Sequence, residues 1–89
     1  MENYVYLLLS GKDLKTYLGS TDNLERRLHE HNSGKSLATK NRRPLKLIYT
    51  EKFNSLLEAR YREKYLKSRG GRKELKIIFE KLDLHIYNK

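Results

Sequence analysis

Apolar residues fall along the chain in two kinds of spacing, one typical of strands and one typical of helices. Three short runs, residues 3–9 (NYVYLLL), 16–20 and 45–51, are rich in strand-forming residues and are separated by turn-forming ones. Three further segments place apolar residues every three or four positions, as a helix with one buried face does. The order strand, strand, helix, strand, helix, helix predicts an α+β fold. In it, a small three-stranded, mainly antiparallel sheet is flanked by three helices.

The first two strands form a predicted hairpin that carries two tyrosines. Tyr6 lies on the first strand and Tyr17 on the second, so the pairing brings both towards a common site. Gly19 follows near the end of the second strand, where it permits a close approach of the backbone.

The first predicted helix buries two polar side chains with its apolar ones. It opens with a capping box of Asp22 and Glu25 and ends near Asn32, before Gly34. The buried stripe is defined by the apolar pair Leu24 and Leu28, and it also contains Arg27 and His31. These two polar side chains either extend to the rim of the core or line a cleft.

The second predicted helix has a single acid on its buried face. A capping box of Ser55 and Glu58 opens it, and it runs to about Ser68. Glu63 falls within the apolar stripe, whereas Glu58 lies on the far side of the helix. Because carboxylates are seldom buried without a partner, the nearest plain explanation is an ion pair with Arg27. The apolar stripe consists of Leu56, Ala59 and Leu66.

The third predicted helix spans residues 72–82 and has one apolar face. We expect it to pack on a second apolar flank of the preceding helix, formed by Leu57, Tyr61 and Tyr65. Residues 1–82 then make one domain, and residues 83–89 form a C-terminal tail, either frayed or a short edge strand. The apolar face of this helix consists of Leu75, Ile78, Phe79 and Leu82.

Composition limits the class of protein. The chain has 89 residues, of which 37% are hydrophobic and 35% charged, and it has no cysteine. One core is all that such a length supports, and neither a disulfide framework nor a thiol nucleophile is possible. No apolar run is long enough to span a bilayer, and the N-terminus lacks the layout of a signal peptide. We therefore expect a cytoplasmic protein with no membrane partner.

The formal net charge of +9 favours nucleic acid as the partner. An anionic membrane is less favoured, because the predicted helices use their apolar faces for the core. The polar loop at residues 33–44 adds cations that we expect to contact the phosphate backbone. Such contacts position DNA without reading its sequence. These candidate nucleic-acid-binding residues are Lys35, Lys40, Arg42 and Arg43.

Taken together, the polar residues predicted to face inward suit phosphodiester chemistry. Glu63 is a hard oxygen ligand for one Mg²⁺ or Mn²⁺ ion, and Arg27 can bind a phosphate through two hydrogen bonds. Either Tyr6 or Tyr17 can position or deprotonate the attacking water, and His31 can orient a tyrosine or carry a proton. Taken singly, each of these residues also has a structural explanation: packing, snorkelling or a satisfied core histidine.

The motifs YVY (residues 4–6) and YLG (residues 17–19) resemble the signature of the GIY-YIG nuclease family. The helix NLERRLHEHNSG and the later REKYLK resemble the single-domain bacterial members, which are related to the nuclease domain of an excision-repair excinuclease. The resemblance implies a small sheet flanked by helices and metal-dependent cleavage of a DNA phosphodiester. It departs from the family in two places: Tyr4 replaces a glycine, and a later asparagine has no counterpart around residues 75–78.

Carried over residue by residue, the resemblance assigns catalytic positions to Tyr6, Tyr17, Arg27 and His31, and the metal-binding position to Glu63. The leading hypothesis is a DNA endonuclease of low intrinsic sequence specificity, acting in DNA repair or processing. One alternative is a catalytically weak module that binds DNA or RNA through the same basic surface. A third is a scaffold that docks on an acidic protein.

Overall fold

The strands and helices follow one another in the order that the sequence predicts. The structure, a computed structural model, describes residues 2–82, and the predicted tail at residues 83–89 lies outside them. No helix in this described part of the chain is long and apolar enough to cross a membrane. A 3₁₀ turn within the loop was not predicted. The elements are β1 (Asn3–Ser10), β2 (Thr16–Thr21), α1 (Leu24–Asn32), the 3₁₀ turn (Lys40–Arg42), β3 (Leu45–Phe53), α2 (Leu56–Lys67) and α3 (Gly71–Lys81).

The sheet is antiparallel throughout, in the order β2-β1-β3, which makes β1 the central strand. This confirms the predicted α+β fold with a three-stranded sheet and three helices. Tyr6 on β1 pairs with Gly19 on β2 and with Thr50 on β3. The side chain of Tyr6 therefore starts from the middle of the sheet.

Alternation along β1 sends its side chains to both faces of the sheet, so the single core expected from the length is divided into two apolar clusters, one on each face. Val5 and Leu7 pack with residues of α2 and α3 on one face of the sheet. Tyr6 and Leu8 pack with residues of α1 on the other face. The sheet is thus covered by α1 on one side and by α2 and α3 on the other, and β2 is the edge strand between them.

The cap of α1 lies one residue later than predicted. The Asn23 side chain, not that of Asp22, accepts a hydrogen bond from the Arg26 amide at 3.0 Å. Asp22 instead pairs with the Arg26 guanidinium at 2.9 Å. Both residues are good N-cap formers, so composition alone does not choose between them. The Ser55 cap of α2 is confirmed, since its hydroxyl accepts from the Glu58 amide.

The packing of α3 differs from the prediction. Its apolar face joins the core as expected, but the flank of α2 formed by Leu57, Tyr61 and Tyr65 stays exposed. The reason is the tight connection at Gly71, which places the start of α3 directly on the backbone of Tyr65 and Leu66. From there α3 packs beside Ala59 and Leu66, on a different side of α2.

The two adjacent glycines before α3 provide a test of this connection. A Cβ at Gly71 would overlap the Tyr65 carbonyl, whereas a Cβ at Gly70 would meet nothing within 4 Å. We expect Gly71→Ala to lower the free energy of unfolding by about 1–3 kcal/mol, because the backbones must separate. Gly70→Ala is the matched control and should stay within about 0.5 kcal/mol. Urea unfolding of the two variants measures the difference, and equal losses would contradict the packing described here.

Candidate active site

The hydroxyl of Tyr6 is the centre of a buried polar cluster. It lies 2.8 Å from His31 Nε2, and Arg27 Nε donates a hydrogen bond to it at 3.3 Å. The tyrosine itself is only 2% exposed. The structure thus brings together three of the residues that the sequence singled out, one from β1 and two from α1.

Gly19 makes room for this hydroxyl. It is the β2 residue paired with Tyr6, and a Cβ at this position would lie 2.5 Å from the Tyr6 hydroxyl oxygen. A side chain here would displace the phenol from His31 and Arg27. The close approach predicted at Gly19 is therefore an approach of the Tyr6 ring to the β2 backbone.

His31 is fully buried and has a partner at each ring nitrogen. Its Nδ1 lies 2.7 Å from the hydroxyl of Thr39, a buried residue of the loop after α1. Burial, together with the nearby Arg27 charge, lowers the pKa of His31 to about 4. The ring is therefore neutral at neutral pH, with one nitrogen donating and the other accepting a hydrogen bond.

The environment of Tyr6 makes its phenol hard to ionise. Burial raises the pKa of the phenol to about 12, and the hydrogen bond from Arg27 offsets only part of that effect. The hydroxyl consequently stays protonated and engaged with its two neighbours.

Tyr17 is placed differently, although its ring belongs to the same cluster. Its centroid lies 5.0 Å from that of His31 and 6.4 Å from that of Tyr6. The residue is only half-buried. Within residues 2–82 its hydroxyl makes no hydrogen bond. Of the two phenols, Tyr17 is thus the one with a hydroxyl available to water or substrate.

Glu63, on α2, lies next to the edge strand β2, and each of its two carboxylate oxygens accepts a hydrogen bond. Ser20 donates to Oε1 at 2.5 Å and Lys67 Nζ donates to Oε2 at 2.6 Å. Its side chain is 22% exposed. The expected structural pair with Arg27 is not formed, because Arg27 bonds to Glu30 at 3.1 Å instead.

The carboxylate and the tyrosine cluster reach the β2 edge from opposite faces of the sheet. Ser20 pairs with Val5 and so points to the α2 side, whereas Tyr17 pairs with Leu8 and points to the α1 side. Lys67 connects the two, since its Nζ also lies 6.0 Å from the centroid of the Tyr17 ring.

Two hollows that share Arg60 lie beside this edge, one between α1 and α2 and the other along α2. The first has a volume of about 360 Å³ and contains Arg27; the second has a volume of about 520 Å³ and contains Glu63; Arg60 lines both. Both hollows are open, and cations and carboxylates alternate along their linings; the two together are called the groove below. The first is lined by Ser20, Thr21, Asp22, Arg26, Arg27, Glu30, Leu56 and Arg60, and the second by Arg60, Glu63, Lys64, Lys67 and Ser68.

The loop cations occupy different environments. Lys35, Lys40 and Arg43 are exposed. The Arg42 guanidinium is engaged within the protein, with Asp13 at 2.7 Å and the Thr16 carbonyl at 3.2 Å. Arg42 therefore ties the loop to the β1–β2 turn, and the three exposed cations are the ones available to meet phosphate.

Three residues of the site, Ser20, Thr39 and Lys67, were not predicted from the sequence. Lys67 follows Glu63 by four residues, the helical spacing of an ion pair, and that signal could have identified it. Ser20 and Thr39 carry no such signal, because their partners lie 43 and 8 residues away and depend on the fold.

Glu63 is the carboxylate of this site that could bind a hard divalent cation, and its two oxygens are at present held by Ser20 and Lys67. Mg²⁺ commonly binds through one or two carboxylates and keeps several waters, and Glu63 presents two oxygens beside the Ser20 hydroxyl. No group of three His, Cys, Asp or Glu side chains suited to a metal occurs among residues 2–82. A cation on Oε2 requires the Lys67 ammonium to move aside.

The three-stranded antiparallel sheet flanked by helices is the fold that the resemblance to the GIY-YIG nucleases implies. Residues 2–76 match the GIY-YIG catalytic domain. The chain belongs to the GIY-YIG family.

Relatives of similar length share most of the chain. It is 44% identical over 79 residues to the UPF0213 protein of Syntrophus aciditrophicus, covering 86% of this chain and 90% of that protein. It is 42% identical over 81 residues to a UPF0213 protein of Staphylococcus haemolyticus, covering 90% and 98%. The solution NMR structure of a UPF0213 protein from Bacillus halodurans matches with a TM-score of 0.51 at 36% identity, covering 88% of this chain and 85% of that one.

The buried histidine predicts a pH dependence of stability. The pKa of His31 is about 4 in the folded chain and about 6.5 when the chain is unfolded. Between these values the unfolded state binds more protons. The His31 contribution to stability is thus complete above about pH 6.5 and is lost as the pH falls towards 4.

We expect the urea midpoint to drop over this range, and to drop less in His31→Gln, which has no titrating ring. Unfolding at pH 7, 5.5 and 4.5 measures the difference. The same pH dependence in both proteins would contradict the buried neutral state.

Proposed function

We propose that this protein is a metal-dependent endonuclease that hydrolyses DNA phosphodiester bonds with low intrinsic sequence specificity. The observation that supports it most is that Arg27 and Glu63 line two hollows that share Arg60, and that Lys67 links Glu63 to the Tyr17 ring. These groups come from three elements and both faces of the sheet. A purely structural role for each would not require this convergence.

In this proposal the scissile phosphate lies in the groove. Arg27 binds a non-bridging oxygen of this phosphate. Its hydrogen bonds to the Tyr6 hydroxyl and to Glu30 fix the plane of the guanidinium. Arg60 is a second cation available to the phosphate, because it lines both hollows. Charge on the phosphorane oxygens is the feature of the transition state that such donors stabilise.

Tyr17 is the phenol that we assign to the attacking water. Its hydroxyl has no partner within the described residues, and the Lys67 ammonium lies above its ring. Tyr6 is a positioning residue, because its hydroxyl is buried between His31 and Arg27. Its hydrogen bond orients Arg27, and His31 orients Tyr6.

Glu63 is the residue that would hold the cofactor, one Mg²⁺ or Mn²⁺ ion. When bound, the ion would supply positive charge to the phosphate and the leaving oxygen. Ser20 keeps Oε1 fixed, and Lys67 balances the charge of the carboxylate. With a cation on Oε2, Lys67 would be free to pair with a neighbouring phosphate.

Low specificity follows from the kind of contact that the surface offers. Lys35, Lys40 and Arg43 are exposed cations suited to phosphates rather than to base edges. A role in DNA repair or processing in the cytosol is consistent with this chemistry.

Loss of the carboxylate is the first test. We expect Glu63→Gln to abolish Mg²⁺- or Mn²⁺-dependent nicking of supercoiled plasmid, because the neutral amide is a poor ligand for a hard cation. Glu58→Gln, on the exposed side of the same helix, is the matched control and should nick normally. Salt-sensitive DNA binding without product in the wild-type protein would instead support a binding module.

Loss of the guanidinium is the second test. Removing a comparable transition-state donor costs about 10²–10³ in kcat, so Arg27→Ala should slow single-turnover cleavage by about that factor. Arg69→Ala, an exposed arginine beyond α2, serves as the charge control. If the two variants cut at the same rate, Arg27 has no role in the chemical step.

A further inference from the structure

The outer face of α2 carries an exposed row of large apolar side chains. Leu57 is 63% exposed, Tyr61 65% and Tyr65 46%. They follow one another every four residues, so each is one turn, about 6 Å, from the next. These three residues, called the aromatic row after Tyr61 and Tyr65, are not part of the core, because α3 packs on another side of α2.

A row of cations lies between the aromatic row and Glu63. At about 100° per residue, the helix surface next to Glu63 is occupied first by Lys67 and Arg60 and then by Lys64. All three line the hollow that contains Glu63. Around the circumference of α2, the Glu63 carboxylate is therefore followed by the cations and then by the aromatic row.

Tyr65 lies beside an ion-pair network that also joins α2 to β3 and to α3. The Arg62 guanidinium lies 5.8 Å from the centroid of its ring. Arg62 is itself fixed by two hydrogen bonds to Glu51, at 2.7 and 3.0 Å, and by an ion pair with Glu74. A cation within about 6 Å of a ring centroid attracts the ring, so Arg62 favours the observed placement of Tyr65.

The cations beside the aromatic row indicate which kind of ligand the outer face of α2 can bind. A second copy of the chain would bring two rows of cations together, in a protein with a net charge of +9. A duplex keeps its bases stacked inside and offers the tyrosines only its phosphates. A single strand presents phosphates and unstacked bases side by side, and ring stacking with a cationic groove is the general way in which proteins bind it.

We propose that α2 binds a single-stranded segment of DNA, with phosphates on Arg60, Lys64 and Lys67 and bases stacked on Tyr61 and Tyr65. This rests on the proposed nuclease function and extends it. The strand that enters the groove at Glu63 is one whose bases are unpaired, as at a flap, a gap or a frayed end.

The test is binding of a fluorescent oligo(dT) and of a duplex of equal length, measured by anisotropy in EDTA so that no cleavage occurs. We expect the double variant Tyr61→Ala/Tyr65→Ala to weaken oligo(dT) binding by about 30-fold or more, since two stacked bases are lost, and duplex binding by less than about twofold. The double variant with Phe at both positions should bind as the wild type does, because stacking needs the ring and not the hydroxyl.

The salt dependence of oligo(dT) binding distinguishes the contribution of the cations from that of the tyrosines. Lys64→Ala should reduce the magnitude of the slope of log K against log salt by about 0.7, whereas the tyrosine variant should leave the slope unchanged. Ile77→Ala, an exposed apolar residue of α3, is the control for loss of apolar surface and should bind both ligands normally. Thermal unfolding checks that every variant is folded.

Three results would overturn the proposal. The first is an equal loss of affinity for oligo(dT) and for the duplex in the Tyr61→Ala/Tyr65→Ala variant. The second is that the wild-type protein binds oligo(U) ten times more tightly than oligo(dT). The third is that the wild-type protein is a dimer and the tyrosine variant is a monomer. Failure of the nuclease proposal can be told apart from failure of this one. If oligo(dT) binding depends on the tyrosines but no DNA is cleaved, the single-strand surface is supported and the nuclease proposal is not. Conversely, normal cleavage with no tyrosine dependence rejects the surface and leaves the nuclease.

Discussion

The hydrogen bond between the Tyr6 hydroxyl and the neutral ring of His31 is the interaction on which the rest of the site depends. It joins the central strand to α1, and through Thr39 it also fixes the loop that follows α1. Because the cluster is buried, an unpaired member would carry the full cost of a desolvated polar group. The same bond leaves the Tyr6 hydroxyl in place to accept from Arg27, so the orientation of the guanidinium follows from the packing of the core.

The edge strand explains how groups from both faces of the sheet can serve one site. A sheet separates the side chains of its two faces, and only at an edge can they come within reach of each other. Here β2 is that edge: Tyr17 and Ser20 leave it in opposite directions, and the intervening Gly19 leaves space for Tyr6. The hollow lined by Ser20 and Thr21 therefore lies at the β2 edge of the sheet, where groups from both faces can reach it.

Much of this fold is visible in the sequence, because the spacing of apolar residues determines which faces are buried. Tyr6, Arg27, His31 and Glu63 could be selected since each is a polar residue on an apolar face. The predicted packing of α3 on the tyrosine flank of α2 was wrong, because a backbone contact at Gly71, and not side-chain hydropathy, decides which side is covered. Ser20 and Thr39 could not be selected either, since a hydroxyl gives no signal until its partner is known.

The protonation state of His31 tests this account most directly. In ¹⁵N-labelled protein, with the resonances assigned by comparison with His31→Gln, the two ring nitrogens should show one donor and one acceptor in a single tautomer. That pattern should persist from pH 8 to pH 5, as a pKa of about 4 requires. A ring that exchanges between tautomers, or that titrates near pH 6.5, would mean that the hydrogen bond to Tyr6 does not organise the site.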